Sequence, residues 1–395
     1  MNKFPLARIA YISGLLLLAI SGLGTAVSAQ IVPVGNVEEL YSAVNNAAYT
    51  GATISIAPGV YSLTVNAPDS TPRPNRGRLD LQADMSLIGV TDDLSAVVID
   101  ASALPASSYL VSGPVAAVRT GKGRNSIEWL TVRNAINGQA NIDTGLQSPG
   151  PTYVMIAHVA STGSTRGLNV INFGPAASGE IIEADIDDND FFDNRQGLSE
   201  GVRLGSFQGA VGSTVNALMT GNRSWGQQQG RLIVNNRATN STVNVVSSGN
   251  RFYENGAGTI IAGGLSSNNT TANGNTINFE AHGDRFLDNK AFTTLDIGGL
   301  IILGGENISI PNGVNHNTVN VSLCGCRMGD NNTNDLLAIG ATVCAGGDRF
   351  AWRGQSRDDR DPREGNGKGR WQPVEFFTDV IPIATVTTNV MTVYR

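Results

Sequence analysis

The densest acidic stretch of the sequence spans residues 183–190 and reads Glu-Ala-Asp-Ile-Asp-Asp-Asn-Asp. As a strand it would turn Glu183, Asp185 and Asp187 to one face, about 7 Å apart, because a strand rises ~3.4 Å per residue. Oxygen ligands of this kind bind Ca²⁺, and Asp187 is also a candidate catalytic acid or base. The alternative is a solvated strand edge on which Asp190 pairs with Arg223. The residue pattern favours the edge and keeps calcium as the second hypothesis.

Two arginines interrupt otherwise apolar strands and are candidates for binding a carboxylate. Arg203 lies in Gly-Val-Arg-Leu and Arg231 in Gly-Arg-Leu-Ile. A guanidinium binds carboxylates through forked hydrogen bonds, so we predict that these two residues form a clamp for a substrate carboxylate. His282, two residues after Glu280, is a further candidate for proton transfer, although an isolated histidine is more often incidental.

A short phrase built around an arginine recurs along the chain, and its most complete copy is Gly-Asn-Arg-Phe-Tyr-Glu-Asn at 249–255. Recurrence of one phrase indicates stacked repeats, in which each unit buries its apolar face against its neighbours. In register, the arginines form one column: Arg223, Arg251, Arg285, Arg327 and Arg349. This column could bind an anionic polymer. Because like charges at a spacing of about 4.8 Å repel, we favour neutralisation by carboxylates such as Glu254 and Asp288.

Each copy of the phrase lies between two strands. Before it comes Thr-Val-Asn or Thr-Ile-Asn, where alternation sends Val243, Val245 and Ser247 inward. After it comes an apolar run, such as 299–304, typical of a strand covered on both faces. Three strands per repeat close a triangular prism. Its interior is predicted to hold one stack, formed by Phe252, Phe286, Met328 and Phe350.

Side-chain amides at the turns are predicted to form two further columns that hydrogen bond along the stack. The first column contains Asn222, Asn250, Asp284 and Asp348, and the second Asn194, Asn255, Asn289 and Asn331. At the start of the chain, Asn36 and Glu39 have the spacing of a capping box. Apolar residues at 37, 40, 41 and 44 then predict a short amphipathic helix that covers the first coil.

Three segments carry a resemblance to a known architecture. They are Ala-Pro-Gly-Val-Tyr at 57–61, Ser-Leu-Ile-Gly-Val at 86–90 with Val-Val-Ile-Asp at 97–100, and Ile-Glu-Trp-Leu-Thr-Val-Arg-Asn at 127–134. Together with the opening helix, they resemble the first coils of pectate-lyase-like right-handed parallel β-helix proteins, over residues 36–352. The resemblance implies an all-β fold with an N-terminal helical cap, and a polysaccharide or cell-surface glycan as partner.

The resemblance does not extend to the catalytic signatures of those enzymes. The sequence has no Trp-Ile-Asp-His or Arg-x-Pro-x-x-Arg, as in pectate lyases, and no Asn-Thr-Asp, Gly-His-Gly or Arg-Ile-Lys, as in polygalacturonases. Fold alone does not determine function. Two hypotheses follow: a protein that binds a polysaccharide and cleaves it as a lyase or hydrolase, or a non-catalytic surface, adhesive or structural protein.

The first 29 residues have the pattern of an export signal, with Lys3 and Arg8, an apolar run and a small-residue site ending at Ala29. This predicts a secreted, periplasmic or cell-surface protein with no membrane span after cleavage. The net charge of −6 would become −8 on removal of those two cations, which argues against a nucleic-acid partner.

The remaining chain divides into three predicted parts. These are the β-helix at 30–352, a charged loop at 353–370 and C-terminal capping strands at 371–395. The three cysteines have no fourth ligand in register for a metal, so we favour a disulfide between Cys324 and Cys344, with Cys326 in the asparagine column. No cofactor other than calcium is suggested.

Overall fold

The computed structural model describes most of the chain between residues 30 and 352. The described residues are 30–109, 116–136, 138, 140–145, 150–194, 199–266, 272–290, 297–303, 306–307, 317–329, 334–339, 342–346, 351–352 and 393–394. The predicted signal peptide, the charged loop and all but two residues of the predicted capping strands therefore lie outside the described residues.

Strands make up nearly all of the regular structure. In chain order the first elements are β1 (Ile31–Val34), α1 (Val37–Asn45), β2 (Thr53–Ile56), β3 (Gly59–Ser62), β4 (Leu79–Asp80), β5 (Ser86–Gly89), β6 (Val97–Asp100), β7 (Ala116–Arg119), β8 (Gly123–Arg133), β9 (Ala140–Asp143), β10 (Pro151–Thr162), β11 (Arg166–Phe173), β12 (Ile181–Asp187), β13 (Asp190–Phe192) and β14 (Glu200–Phe207). They continue with β15 (Thr214–Thr220), β16 (Arg223–Trp225), β17 (Gln229–Asn236), β18 (Thr242–Ser248), β19 (Arg251–Tyr253), β20 (Ala257–Ser266), β21 (Thr276–His282), β22 (Arg285–Leu287), β23 (Ile297–Leu303), β24 (Glu306–Asn307), β25 (Thr318–Cys324), β26 (Arg327–Gly329), β27 (Asn334–Ile339), β28 (Thr342–Gly346), β29 (Ala351–Trp352) and β30 (Val393–Tyr394).

Every strand pairs in parallel with the equivalent strand of the next coil. The first strands of the coils stack as β12, β15, β18, β21 and β25, and the short second strands as β13, β16, β19, β22 and β26. The third strands form a separate sheet in the order β4, β7, β9, β11, β14, β17, β20, β23, β27, which we call the third sheet. The predicted right-handed parallel β-helix with three strands per coil is confirmed.

Helix α1 covers the open end of the first coil, as predicted. Asn36 Oδ1 accepts a hydrogen bond from the backbone N–H of Glu39 at 3.0 Å, and Glu39 Oε2 accepts one from Gly35 N at 2.6 Å. The helix buries Leu40 and Tyr41 against the apolar interior of the first coils. This packing removes the first coil from water in the way that a terminal repeat requires.

The interior of the prism follows the predicted alternation. Val243, Val245 and Ser247 are buried, and the rings of Phe252 and Phe286 stack with centroids 5.2 Å apart. Met328 continues this column, whereas Phe350 lies outside the described residues. The turn before each arginine requires a left-handed residue, which explains the glycine of the repeated phrase; Gly249 has a φ of 65°.

Both predicted amide columns are present. In the first, each side-chain Nδ2 donates to the next Oδ1, from Asn189 to Asn222 (2.8 Å), to Asn250 (2.9 Å) and to Asp284 (3.1 Å). The second runs through Asn194, Gln227, Asn255 and Asn289, so a glutamine that the pattern did not include occupies one position. Asp348 and Asn331 lie outside the described residues.

The third strands begin with an interruption of the alternation. A Cβ atom on Gly230 would lie 2.5 Å from the carbonyl oxygen of Gly258 and 2.8 Å from the ring of Phe252, so this position faces inward and admits only glycine. Arg231 then also points inward, as Val202 does after Gly201 in the previous coil. Because two consecutive residues point inward, every later residue of the strand faces the side opposite to the one that strict alternation would give it.

Among the described residues, no helix is long and apolar enough to cross a membrane.

Candidate functional site

The acidic segment forms β12, and its three carboxylates share the outer face as predicted. Glu183 Oε1 accepts a hydrogen bond from Asn216 Nδ2 at 2.7 Å, and Asp185 Oδ2 accepts one from the Tyr153 hydroxyl at 2.6 Å. Asp187 accepts one from the Thr220 hydroxyl. Each carboxylate is thus bound to a side chain of an adjacent coil.

The structure does not bring these carboxylates together as a calcium site. Within the described ranges, no group of three or more His, Cys, Asp or Glu side chains is arranged to hold a metal ion. Asp187 and His282 share one outward column but are three coils apart, a separation of about 14 Å at ~4.8 Å per strand. His282 instead lies 2.8 Å from Glu280 through its Nε2. The two predicted catalytic groups therefore cannot act on one bond.

The alternative interpretation of the acidic segment is confirmed at its last residue. Asp190 pairs in register with Arg223 and accepts two hydrogen bonds from it, at 2.6 and 2.7 Å. Burial raises the pKa of Asp190, although the Arg223 guanidinium acts in the opposite direction. The acidic edge ends in an ion pair with the first member of the arginine column.

The predicted clamp of Arg203 and Arg231 is wrong, because the two side chains lie on opposite faces of the third sheet. Arg231 pairs with Val202 in the register, one residue out of step with Arg203, and a one-residue offset reverses the face. Arg231 points into the closed interior of the prism, whereas Arg203 lies on the outer face of the third sheet.

The surroundings of Arg231 explain how a charge is kept in the core. Its guanidinium lies 4.6 Å from the ring centroid of Phe252 and 4.7 Å from that of Phe279, and its Nη2 lies 3.5 Å from Asp284 Oδ2. Nη1 donates to the Ser247 hydroxyl at 2.7 Å. Burial nevertheless lowers the pKa of Arg231 to about 10. This residue has a structural role.

Arg203 faces outward and belongs to a row of polar residues that crosses the third sheet. One residue from each of five neighbouring strands contributes to this row, in the order Asp80, Arg119, Asp143, Asn169 and Arg203. Arg78, Arg166 and Glu200 lie beside it. We call these eight residues the charge cluster.

At one end of the charge cluster, Glu200 binds two arginines. Its Oε2 accepts from Arg203 Nε at 2.5 Å and from Arg166 Nε at 3.2 Å, and its Oε1 accepts from Arg203 Nη2. Glu200 is 1% exposed, whereas the side chains of Arg166 and Arg203 are 12% and 15% exposed. A buried carboxylate thus orients two arginines that are only slightly exposed, and burial lowers the pKa of Arg166.

The centre of the charge cluster is deeply buried. Asp143 is fully buried; its Oδ2 accepts from Asn169 Nδ2 at 2.7 Å and its Oδ1 accepts from the backbone N–H of Gly145. Burial raises the pKa of Asp143, while these hydrogen bonds and the charges of Arg119 and Arg166 lower it in part. Because burial outweighs them, the neutral carboxylic acid is favoured here more than at the surface.

Several buried polar atoms of the charge cluster lack hydrogen-bond partners among the described residues. They are Arg78 Nη1, Asp80 Oδ1, Arg119 Nε and Asn169 Oδ1. The nearest ion-pair contacts of Asp80 are long, 3.5 Å to Arg119 and 3.8 Å to Arg78. Donors and acceptors are thus available around Asp143.

Of the predicted site residues, only Arg203 belongs to this cluster. The signal that could have identified the other members is a polar residue directly after the inward apolar residue of successive third strands, as in Leu79-Asp80, Val118-Arg119 and Ile142-Asp143. Aligning the third strands requires the lengths of the intervening loops, which the arginine phrase does not supply in this part of the chain.

The predicted disulfide between Cys324 and Cys344 is not formed, because Cys324 is a free thiol. The register itself was predicted correctly, since Cys344 pairs with Ser322. Cys326 is also free and buried, and it follows Asp284 in the first amide column as expected. Burial raises the pKa of the Cys326 thiol to about 11.

No protein-family model and no curated protein matches the sequence. Among solved structures, the chain is similar to the catalytic domain of a GH87 alpha-1,3-glucanase in complex with tetrasaccharides, with 12% sequence identity and a TM-score of 0.28. The alignment covers 80% of this chain, and it spans 64% of the length of the glucanase chain.

Proposed function

We propose that the protein binds an acidic polysaccharide at the charge cluster and cleaves it there. The observation that carries this proposal is the set of buried polar atoms that have no partner among the described residues, above all Arg119 Nε and Asn169 Oδ1. Buried polar groups are nearly always paired, since leaving one unpaired costs on the order of 1–3 kcal/mol. A ligand that carries carboxylate and hydroxyl groups would supply both an acceptor and a donor.

The charge of the cluster favours an anionic sugar. Four arginines face three acidic residues, so the cluster carries a surplus of positive charge, and a neutral Asp143 would increase it. Arg166 and Arg203 are slightly exposed, and Glu200 holds their planar groups. Guanidiniums fixed in this way bind carboxylates with good geometry. A uronate residue is the sugar that matches.

We assign proton transfer to Asp143. A buried carboxylic acid with a raised pKa can donate its proton to a glycosidic oxygen as the bond from that oxygen to the anomeric carbon breaks. Water would then form a bond to the anomeric carbon and release one proton, which restores protonated Asp143, so the reaction is a hydrolysis. Asp187 and His282, the groups suggested by the sequence, are too far apart to share this task.

The test is to incubate the protein with uronate polymers and a neutral glucan. We expect new reducing ends from an acidic polymer, without the unsaturated ends that an elimination produces. Asp143→Asn should lower the rate at least about 100-fold, the size of a lost general acid, and leave binding in place. Asp69→Asn, the same change in an exposed turn, is the matched control.

A second variant separates binding from cleavage. Arg119→Gln should weaken binding of the acidic polymer, because it removes a positive charge beside Asp143. Far-UV circular dichroism would confirm that each variant is folded. Unchanged binding in Arg119→Gln together with unchanged turnover in Asp143→Asn would refute the proposal.

A non-catalytic glycan-binding surface protein is the second candidate. The observation in its favour is that both oxygens of Asp143 already accept hydrogen bonds, which is the pattern of an ionised carboxylate. Such a protein would bind the acidic polymer and release no product ends. The same assay distinguishes the two candidates.

Export is part of this proposal and rests on the sequence of residues 1–29. A polymer outside the cell is the partner that an exported protein meets. Mass determination of the protein recovered from the cell envelope or the medium would test it, and the expected mature N-terminus is Gln30. An uncleaved chain retained in the cytoplasm would contradict it.

A further inference from the structure

The arginine column forms a continuous exposed strip on the second strands of the prism. Arg223, Arg251, Arg285 and Arg327 pair in register on successive strands and are all exposed. Successive strands are about 4.8 Å apart, so the column extends about 14 Å along the axis. We call these four residues the arginine face. It lies on a different side of the prism from the charge cluster.

Among the described residues, no carboxylate forms a salt bridge with the arginines in the middle of the arginine face. Arg223 has Asp190 as its partner, but neither Arg251 nor Arg285 forms a salt bridge with any acidic residue that the structure describes. Glu254 and Asp288, predicted to fill this role, have φ angles of 56° and 54° and occupy the left-handed corner after the second strand. Keeping adjacent like charges without counter-charges costs free energy, which binding of an anion would recover.

A row of largely apolar side chains runs parallel to the arginines. Trp225, Tyr253 and Leu287 lie two residues after successive arginines, and all three are half-buried. The ring of Trp225 stacks on that of Tyr253 with centroids 5.4 Å apart. A shallow depression of about 290 Å³ is lined by three arginines, one carboxylate and the apolar row, namely Arg223, Arg251, Arg285, Asp288, Phe252, Tyr253 and Leu287. A row of cationic side chains and a row of largely apolar side chains thus run side by side on the same face.

We propose that the arginine face binds a linear acidic polysaccharide along the axis of the prism, with acidic groups on Arg251 and Arg285 and sugar rings over the apolar row. The choice of an acidic polysaccharide as ligand rests on the proposed function. The arginine face itself is a different surface from the charge cluster. Guanidiniums bind carboxylate or sulfate oxygens in forked pairs, and aromatic side chains bind sugar rings through their apolar surface.

The shape and charge of the molecule favour this occupant over other polyanions. The positive residues form a single line, and the chain as a whole carries a net charge of −6. A duplex nucleic acid or an anionic membrane would approach a wider area and meet that negative charge. A single flexible polysaccharide chain can contact the column of arginines without covering the rest of the surface.

The experiment compares a long uronate polymer with a short uronate oligosaccharide. Arg251→Gln/Arg285→Gln should bind the polymer about tenfold more weakly, as expected for two exposed ion contacts, and should show a shallower dependence of affinity on salt. Binding of the oligosaccharide should be unchanged. The matched control is Arg76→Gln/Lys122→Gln, which removes two exposed cations elsewhere.

The outcomes separate this inference from the proposed function. Weaker polymer binding in the arginine-face variant, with normal oligosaccharide binding, supports it. Equal polymer affinity in the arginine-face variant and the control overturns it, even if Arg119→Gln confirms the charge cluster. Tighter wild-type binding to duplex DNA or to vesicles of anionic phospholipid also overturns it. If no acidic polymer binds to the wild type, both proposals fail.

Discussion

The ion pair inside the prism makes a quantitative prediction for Asp284→Asn. An asparagine at this position would match Asn222 and Asn250 in the first amide column and would still accept the hydrogen bonds from Asn250. It would, however, leave Arg231 as a fully buried cation without the carboxylate that lies 3.5 Å from it. Removing one partner of a buried ion pair costs about 3–5 kcal/mol. We therefore expect Asp284→Asn to lower the free energy of unfolding by about that amount.

The double variant Arg231→Met/Asp284→Asn should recover this loss. Two nitrogens of Arg231, Nε and Nη2, have no hydrogen-bond partner in the part of the chain that the structure describes, even with Asp284 in place. A methionine between the rings of Phe252 and Phe279 removes those unpaired groups and fills a similar volume. Replacement of buried ion pairs by apolar residues is often neutral, or stabilising by about 1–4 kcal/mol.

The assay is urea unfolding followed by far-UV circular dichroism. Asp288→Asn, the same chemical change at an exposed corner, should shift the free energy of unfolding by no more than about 0.5 kcal/mol. The reasoning is refuted if Asp284→Asn unfolds at the same urea concentration as Asp288→Asn. It is equally refuted if the double variant is less stable than Asp284→Asn alone.

Three further predictions concern other parts of the molecule. Asn222→Ala should lower the free energy of unfolding by on the order of 1–3 kcal/mol in the same assay, because it removes the partners of Asn189 and of the Ile186 carbonyl; wild-type stability would show that the amide column contributes nothing. An alkylating reagent near neutral pH should modify Cys324 and leave Cys326 unmodified until the protein unfolds, since burial raises the pKa of the Cys326 thiol to about 11; peptide mass mapping checks this, and early labelling of Cys326 would contradict it. Because the pKa of Asp143 is raised in the folded state, the folded protein holds its proton above the ordinary aspartate value of about 3.9, so stability should fall as the pH rises through the folded-state pKa. Asp143→Asn should remove this part of the pH dependence of stability, and an unchanged profile of unfolding free energy against pH would count against the assignment.

Much of the architecture could be predicted from the sequence, because its rules are local. Alternation along a strand identifies Val243 and Ser247 as inward, and the spacing of the arginine phrase aligns each coil with the next. The pairing of Asp190 with Arg223 follows from the same alignment. The replacement of asparagine by Gln227 in the second amide column was missed, since the phrase loses its pattern there.

The candidate site was predicted poorly, because its parts come from distant segments and from a shifted strand. Arg203 is two residues after Gly201, whereas Arg231 directly follows Gly230, so the two arginines are one residue out of step in the register and lie on opposite faces. Both strands also share an interruption of the alternation at the inward Gly201 and Gly230, and nothing in the sequence distinguishes these two from the rest of the 47 glycines. The two arginines therefore cannot bind one carboxylate, although they belong to neighbouring coils.

The sequence by itself determined the stacking of the coils, since each repeated phrase buries its apolar residues only against the same phrase in the next coil. It also determined the line of arginines, because identical positions in stacked repeats must coincide. Only the tertiary structure decided which charges meet. Asp80 and Arg203 are 123 positions apart in the chain and belong to one polar row, because parallel strands bring together residues whose separation depends on loop lengths. Burial, which raises the pKa of Asp143 and lowers that of Arg231, is likewise a property of the packed prism.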